Sequence, residues 1–217
     1  MLRAPAGLFA CAFVLFSFFA GPGAAQQTPL LRAEIEYRVI EPQPVQVSGA
    51  IEVIDFFLYG CPYCNQLQPA LEGWISRKPA DVTVRRIPAV LRDSWAPHAR
   101  IYYTLEALGE VERLHQRVYY SYHVEKLSMS KLEVMSEWAA RHGIPRERWD
   151  QAYGSAAVQR KTEEAAQLTR AYDINGTPSL VVNGRYLTSG NMAESLAGVI
   201  PILDGLVRLA RGQTVSR

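Results

Sequence analysis

The nine residues IEVIDFFLY, Ile51 to Tyr59, form a nearly unbroken apolar run, and a glycine and a C-x-x-C pair follow it at once. A run this rich in β-branched and aromatic side chains reads as a strand covered on both faces, the centre of a sheet. Gly60 breaks it. Pro62 then suits the first turn of a helix, where a missing N–H has no partner to lose. CPYCNQLQPALEGWISRK continues as that helix, with Leu67, Leu71, Trp74 and Ile75 on one side. Pro69 inside it is expected to kink it. A buried strand feeding a helix is the opening of a parallel crossover. The chain is thereby confined to an α/β architecture, with Cys61 at the helix start and Cys64 one turn deeper.

The remaining elements fit that start. A short strand is expected over 34–40, before the proline-bearing Glu41 to Pro44. DVTVRRIPA, Asp81 to Ala89, alternates like a second strand of the sheet. From about Ser94 to Tyr172 strand signals nearly vanish, and helical spacing takes over. HARIYYTLEALG stops at Gly109, and VERLHQRVYYSY follows. In SKLEVMSEWAARHG, Ser130 and Glu133 have capping-box spacing and Gly143 marks the end. Pro145 opens and Gly154 closes the next helix, and Ser155 caps an Ala-rich one. Strands return in TPSLVVNGRYLTSG, where Asn183-Gly184 signals a hairpin that extends the same sheet antiparallel. A final helix carries Pro201, expected to bend it. The domain reading is a signal peptide over 1–25, one α/β domain made of 26–93 and 172–217, and a helical insertion over 94–171.

The N-terminus is different in kind. After Arg3 comes an apolar stretch of 13 residues, Leu8 to Ala20, then Gly21-Pro22-Gly23 and two alanines before Gln26. A membrane span needs about 18 apolar residues, so this is the order of a secretory signal cut near Ala25. Export implies that Cys11 leaves with the signal, and that only Cys61 and Cys64 remain in the mature chain. A formal charge of +2 with interspersed signs and no basic run argues against nucleic acid as a partner.

Two cysteines three apart can clasp a metal, staple a loop or exchange electrons. A closed zinc site needs four ligands. The four histidines, His98, His115, His123 and His142, all lie in the helical block at spacings that do not match zinc pairs. They are expected to be solvated or locally hydrogen-bonded, and no metal is expected. A staple across so short a loop removes little unfolded-state entropy. Redox exchange fits best. Free N–H groups and the helix dipole favour a Cys61 thiolate. Cys61 then attacks or is attacked, and Cys64 resolves the mixed disulfide.

DFFLYGCPYC, followed far downstream by Gly176-Thr177-Pro178, resembles a thioredoxin-fold oxidoreductase. With the signal peptide and the helical insertion, the chain is similar to the DsbA-type thiol:disulfide interchange proteins of the bacterial periplasm, across essentially the whole mature sequence. WAPHARIYYTLEALG and TPSLVVNGRYLTSGN carry the likeness further. The resemblance implies a thioredoxin fold, a central mixed sheet flanked by helices with an inserted all-helical domain. It implies Cys61 as nucleophile, Cys64 as resolving thiol and no cofactor beyond their disulfide. It implies Pro178 as a cis-proline packed by that disulfide, and Asp55 as an acid buried behind the pair that relays a proton to Cys64. Thr177, Pro62 and Tyr63 are the expected substrate contacts, with Thr177 offering backbone to an extended client. The implied partners are reduced or unfolded exported proteins and a membrane, quinone-linked oxidase of the DsbB type, acting on a monomer.

Tyr63 departs from the Pro-His familiar in this group. A histidine can be cationic beside the thiolate, whereas a tyrosine is neutral at physiological pH. An oxidant weaker than the Pro-His members is therefore expected. The rivals are a reductase or isomerase of the same fold, a periplasmic metal or copper chaperone using the two cysteines as ligands, and a folding helper without chemistry.

Overall fold

Strand β2 (Ile51–Phe57) is buried along its whole length and pairs on both sides, as its composition requires. The computed structural model describes residues 31–214, with side chains to Gly212. The expected signal peptide lies outside the described residues. β2 runs parallel to β3 (Val82–Pro88) and antiparallel to β4 (Ser179–Val182). β4 turns into β5 (Tyr186–Ser189), and the short β1 (Arg38–Val39) covers the far edge. The sheet order is β1-β5-β4-β2-β3. Asn183 (φ 52°) and Gly184 (φ 64°) both take the left-handed conformation that a two-residue hairpin turn demands.

Side chains alternate across the sheet and divide the core into two layers. Ile51, Val53, Leu180 and Val182 meet Leu67, Leu71 and Trp74 of α1 (Pro62–Arg77) and Leu203 and Leu206 of α7 (Leu196–Thr214). Trp74 Nε1 donates to Asp204 Oδ1 at 2.7 Å and ties these two helices together. Ile54, Phe56, Val181 and Leu187 face the other way, into a second core. That core is closed by the five helices that lie between β3 and β4: α2 (Ala96–Leu108), α3 (Val111–His123), α4 (Leu132–Arg141), α5 (Arg146–Tyr153) and α6 (Ala156–Ala171). This is a thioredoxin-type mixed sheet, with helices on both faces and a helical insertion.

Several local readings hold in detail. Gly109 ends α2 at φ 73°, and the Ser155 side chain accepts from Val158 N–H at 3.3 Å. The capping box at Ser130 does not form. α4 starts one residue late, its N-cap is Lys131 with no side-chain cap bond, and the Ser130 hydroxyl lies against that of Ser128 at 3.4 Å. Glu133 then falls in the second helical position, where it can favour the dipole but cannot close the box. Among the described residues, no helix is long and apolar enough to cross a membrane.

Candidate active site

The two sulfurs experience opposite surroundings within one helical turn. Cys61 is the N-cap of α1, with extended backbone (φ −85°, ψ 119°), and its sulfur accepts from Cys64 N–H at 3.4 Å. As a thiol it donates to the Thr177 carbonyl at 3.3 Å. Its side chain is half-buried, and its thiol is lowered to about 5. The largest cause is the side-chain hydrogen bond with Cys64; the Thr177 side chain and the N–H groups of Cys64 and Tyr63 add to it, against the cost of burial. No cation contributes, so hydrogen bonding alone carries the depression. Cys64 is 1% exposed. Burial pushes its thiol well above the usual range, and the neighbouring Cys61 pushes the same way. The sulfurs are not bonded to each other.

The loop before β4 forms one wall. The Thr177–Pro178 peptide is cis, and Ser179 Oγ anchors the turn by donating to Gly176 O at 2.9 Å. Pro178 is buried, and Thr177 presents its carbonyl to Cys61. Beside them opens a hollow of about 390 Å³, lined among others by Tyr63, Thr177, Pro178, Gly190 and Glu194. Tyr63 is 60% exposed and stands over this hollow. Pro62 lies against a different hollow, which Cys61 and Thr177 also line.

Asp55, in β2, is 1% exposed, and neither carboxylate oxygen has a hydrogen-bond partner. The β2–β3 register sets Arg86 directly alongside it. Arg86 does not bond to it; the guanidinium turns instead to Glu72 Oε1 of α1 at 2.5 Å. Burial therefore dominates and pushes the Asp55 carboxyl up to about 7, with Arg86 opposing and Glu72 reinforcing. An acid that titrates near neutrality is suited to exchange a proton with a buried thiol.

The histidines depart from expectation. His142 is locally bonded, its Nδ1 against Trp138 O at 2.7 Å. The other three converge on the turn that presents Cys61. His123 Nε2 donates to Tyr59 O at 2.8 Å, and His115 Nδ1 lies 2.9 Å from Tyr59 Oη. His98 packs over Gly60, where any β-carbon would meet its ring at 3.2 Å and the Tyr122 hydroxyl at 3.3 Å. Glycine at 60 is what permits that approach. Burial lowers His98 to about 4 and His115 to about 3, so both are neutral in the folded protein at physiological pH. Spacing along α2 and α3 held a weak cue to this; which helix faces the active-site turn is a tertiary fact.

A family profile described as "DSBA-like thioredoxin domain" matches residues 93–198, a span that holds Thr177 and Pro178 but not the two cysteines. The chain is 37% identical over 171 residues to the thiol:disulfide interchange protein DsbA of Bordetella pertussis, covering 78% of this chain and 81% of that one. It is 32% identical over 198 residues to the protein of the same name from Burkholderia cepacia, covering 90% and 93%. Among solved structures, it is similar to the crystal structure of Pseudomonas aeruginosa DsbA, with a TM-score of 0.81 and 32% identity over 85% of this chain and 96% of that one.

Proposed function

The chain belongs to the DsbA family of thiol:disulfide oxidoreductases, and from that premise we propose that Cys61 is its nucleophile and Cys64 its resolving thiol. The opposite ionisation of these two thiols carries the reading. In the oxidised protein a client thiolate attacks Cys61 Sγ. The Cys61–Cys64 bond breaks, and Cys64 leaves as a thiolate that its buried site cannot hold. Asp55 supplies the proton. A second client thiolate then attacks the client sulfur of the mixed disulfide and expels Cys61, an easy leaving group because its thiolate is stabilised. Two electrons pass from the client dithiol to the protein. Stabilising the Cys61 thiolate favours the reduced protein and makes the disulfide form an oxidant.

The client's backbone pairs with Thr177 in extended form beside Pro178, with Tyr63 and Pro62 touching it from the helix start. The clients are reduced proteins newly exported to the periplasm, reached through the signal peptide over 1–25. A membrane, quinone-linked oxidase of the DsbB type restores the disulfide. Residues 26–93 and 172–217 form the redox domain, and 94–171 form its helical cover.

Trapping tests the assignment. Oxidation of reduced ribonuclease should be lost in both Cys61→Ser and Cys64→Ser. Offered a disulfide-bonded client, Cys64→Ser should accumulate a mixed disulfide as its Cys61 thiolate attacks the client disulfide and expels a client thiolate, and Cys61→Ser should not. A complex trapped through Cys64 in Cys61→Ser would overturn the roles.

A further inference from the structure

Tyr59, two residues before the nucleophilic sulfur, is held at both of its ends by α3. His123 Nε2 donates to its backbone carbonyl at 2.8 Å, and His115 Nδ1 lies 2.9 Å from its hydroxyl oxygen. The two histidines stand about two turns apart on that helix. Tyr59 is fully buried. The His123 ring is itself braced: it stacks on Tyr119 with centroids 6.2 Å apart and meets Tyr122 edge-on at 5.0 Å.

The carbonyl that His123 holds belongs to the central peptide of a four-residue turn. Cys61 N–H donates to Leu58 O at 3.0 Å and closes that turn over 58–61, with Tyr59 and Gly60 at its middle. Rotating the central peptide converts one turn type into another, and the second type needs a left-handed residue in third place. Here that place is Gly60, which lies outside the left-handed region but can enter it without steric cost. The close packing of His98 is what favours glycine there, since a β-carbon would press on its ring and on the Tyr122 hydroxyl. That packing therefore leaves the turn a second conformation. Turning the Tyr59 carbonyl away from His123 would strand a buried acceptor, and this loss opposes the rotation.

We propose that His123 is a positioning residue for the redox reaction: it locks the Tyr59–Gly60 peptide and so fixes the turn that presents Cys61 at the start of α1. The proposal rests on Cys61 being the nucleophile. The effect is indirect, because the sulfur's own bonds run to Cys64 N–H and the Thr177 carbonyl. Hydrogen bonds weaken steeply as their alignment is lost, so a turn that sampled both arrangements would weaken those contacts. His115 supports the same residue through the Tyr59 hydroxyl and does not hold the peptide. Nε2 carries a hydrogen in the neutral tautomer that donates to a carbonyl and also in the charged ring, so the lock holds in both protonation states.

The test titrates the thiolate absorbance of the reduced protein in His123→Ala, His123→Asn and His123→Gln. A glutamine carries its amide N–H the same number of bonds from Cβ as Nε2, whereas an asparagine stops one bond short. His123→Ala and His123→Asn should raise the Cys61 midpoint by about half a unit, roughly a threefold loss of preference for the thiolate, and His123→Gln should keep it within about 0.2 units of the parent. An unchanged midpoint in both Ala and Asn variants, whatever stability they lose, overturns the proposal. So does a Gln variant shifted as far as the Asn variant. Should His123→Ala not fold, the comparison of Asn with Gln decides. If the parent shows no low transition that disappears in Cys61→Ser, the assignment of Cys61 fails and the positioning role fails with it. If that transition is present and position 123 does not move it, only the positioning role fails.

Discussion

Cys61 and Cys64 are the same side chain one helical turn apart, yet the first is lowered to about 5 and the second pushed well above the ordinary thiol. The difference lies in what each sulfur faces. Cys61 meets hydrogen-bond donors at an open helix end; Cys64 is buried one turn deeper, beside Cys61. A helix N-terminus following a buried strand produces both environments in four residues. One sulfur can then be touched by clients while the other is withheld, and the redox poise follows from their asymmetry.

The largest effect is kinetic. Reduced protein exposed to iodoacetamide at pH 6 should be alkylated at Cys61 on the order of 100-fold or more faster than at Cys64, because only the thiolate reacts and only Cys61 is accessible. Peptide mapping of the alkylated sites reads this directly, and comparable labelling would break the contrast.

Asp55 tests the buried half. Asp55→Asn cannot exchange a proton, so the step in which Cys64 attacks the mixed disulfide should slow by roughly 100-fold. Its stability effect has a definite sign. An acid raised to about 7 in the fold keeps its proton more tightly than in the unfolded chain. It supports the fold fully below about pH 4 and loses that support as pH rises through about 7. Asp55→Asn should therefore be more stable than the parent by roughly 2 kcal/mol at pH 8, and no more stable at pH 4. Denaturant titration at both pH values checks this; a parent that is the more stable at pH 8 would contradict the buried neutral acid.

Thr177 tests the exposed half. Thr177→Val keeps the shape and the backbone carbonyl that Cys61 meets, but removes the side-chain hydroxyl that helps to lower Cys61. The thiol should rise by about one unit, a change of about 1.4 kcal/mol between its two protonation states. Tyr63 gives the smallest change. The depression of Cys61 arises from hydrogen bonds and not from charge at position 63, so Tyr63→His should raise the reduction potential by only about 10–20 mV. Equilibration with glutathione measures it. An unchanged or lowered potential would remove position 63 from the tuning of the pair.

Much of this was readable in the sequence for local reasons. The apolar run, Gly60 and Pro62 specify strand, break and helix start, and Asn183-Gly184 specifies a hairpin, because turn and cap chemistry act within a few residues. Asp55 could be expected to be buried because its neighbours are apolar. Its lack of a partner could not, since that depends on Arg86 turning to Glu72, a choice made by the β2–β3 register and the docking of α1. Ser130 had the spacing of a cap, but the helix began one residue later. His98, His115 and His123 looked like surface histidines. Their grip on Tyr59 and Gly60 comes from how α2 and α3 pack over the active-site turn, at sequence separations that no local pattern encodes.

The asymmetry of the two thiols is tested most directly by following thiolate absorbance of the reduced protein from pH 3 to pH 9. A single transition near pH 5, worth one thiolate and absent in Cys61→Ser, with no second thiolate appearing by pH 9, is the expected result. Two thiolates titrating together between about pH 8 and 9, as ordinary cysteines do, would contradict it.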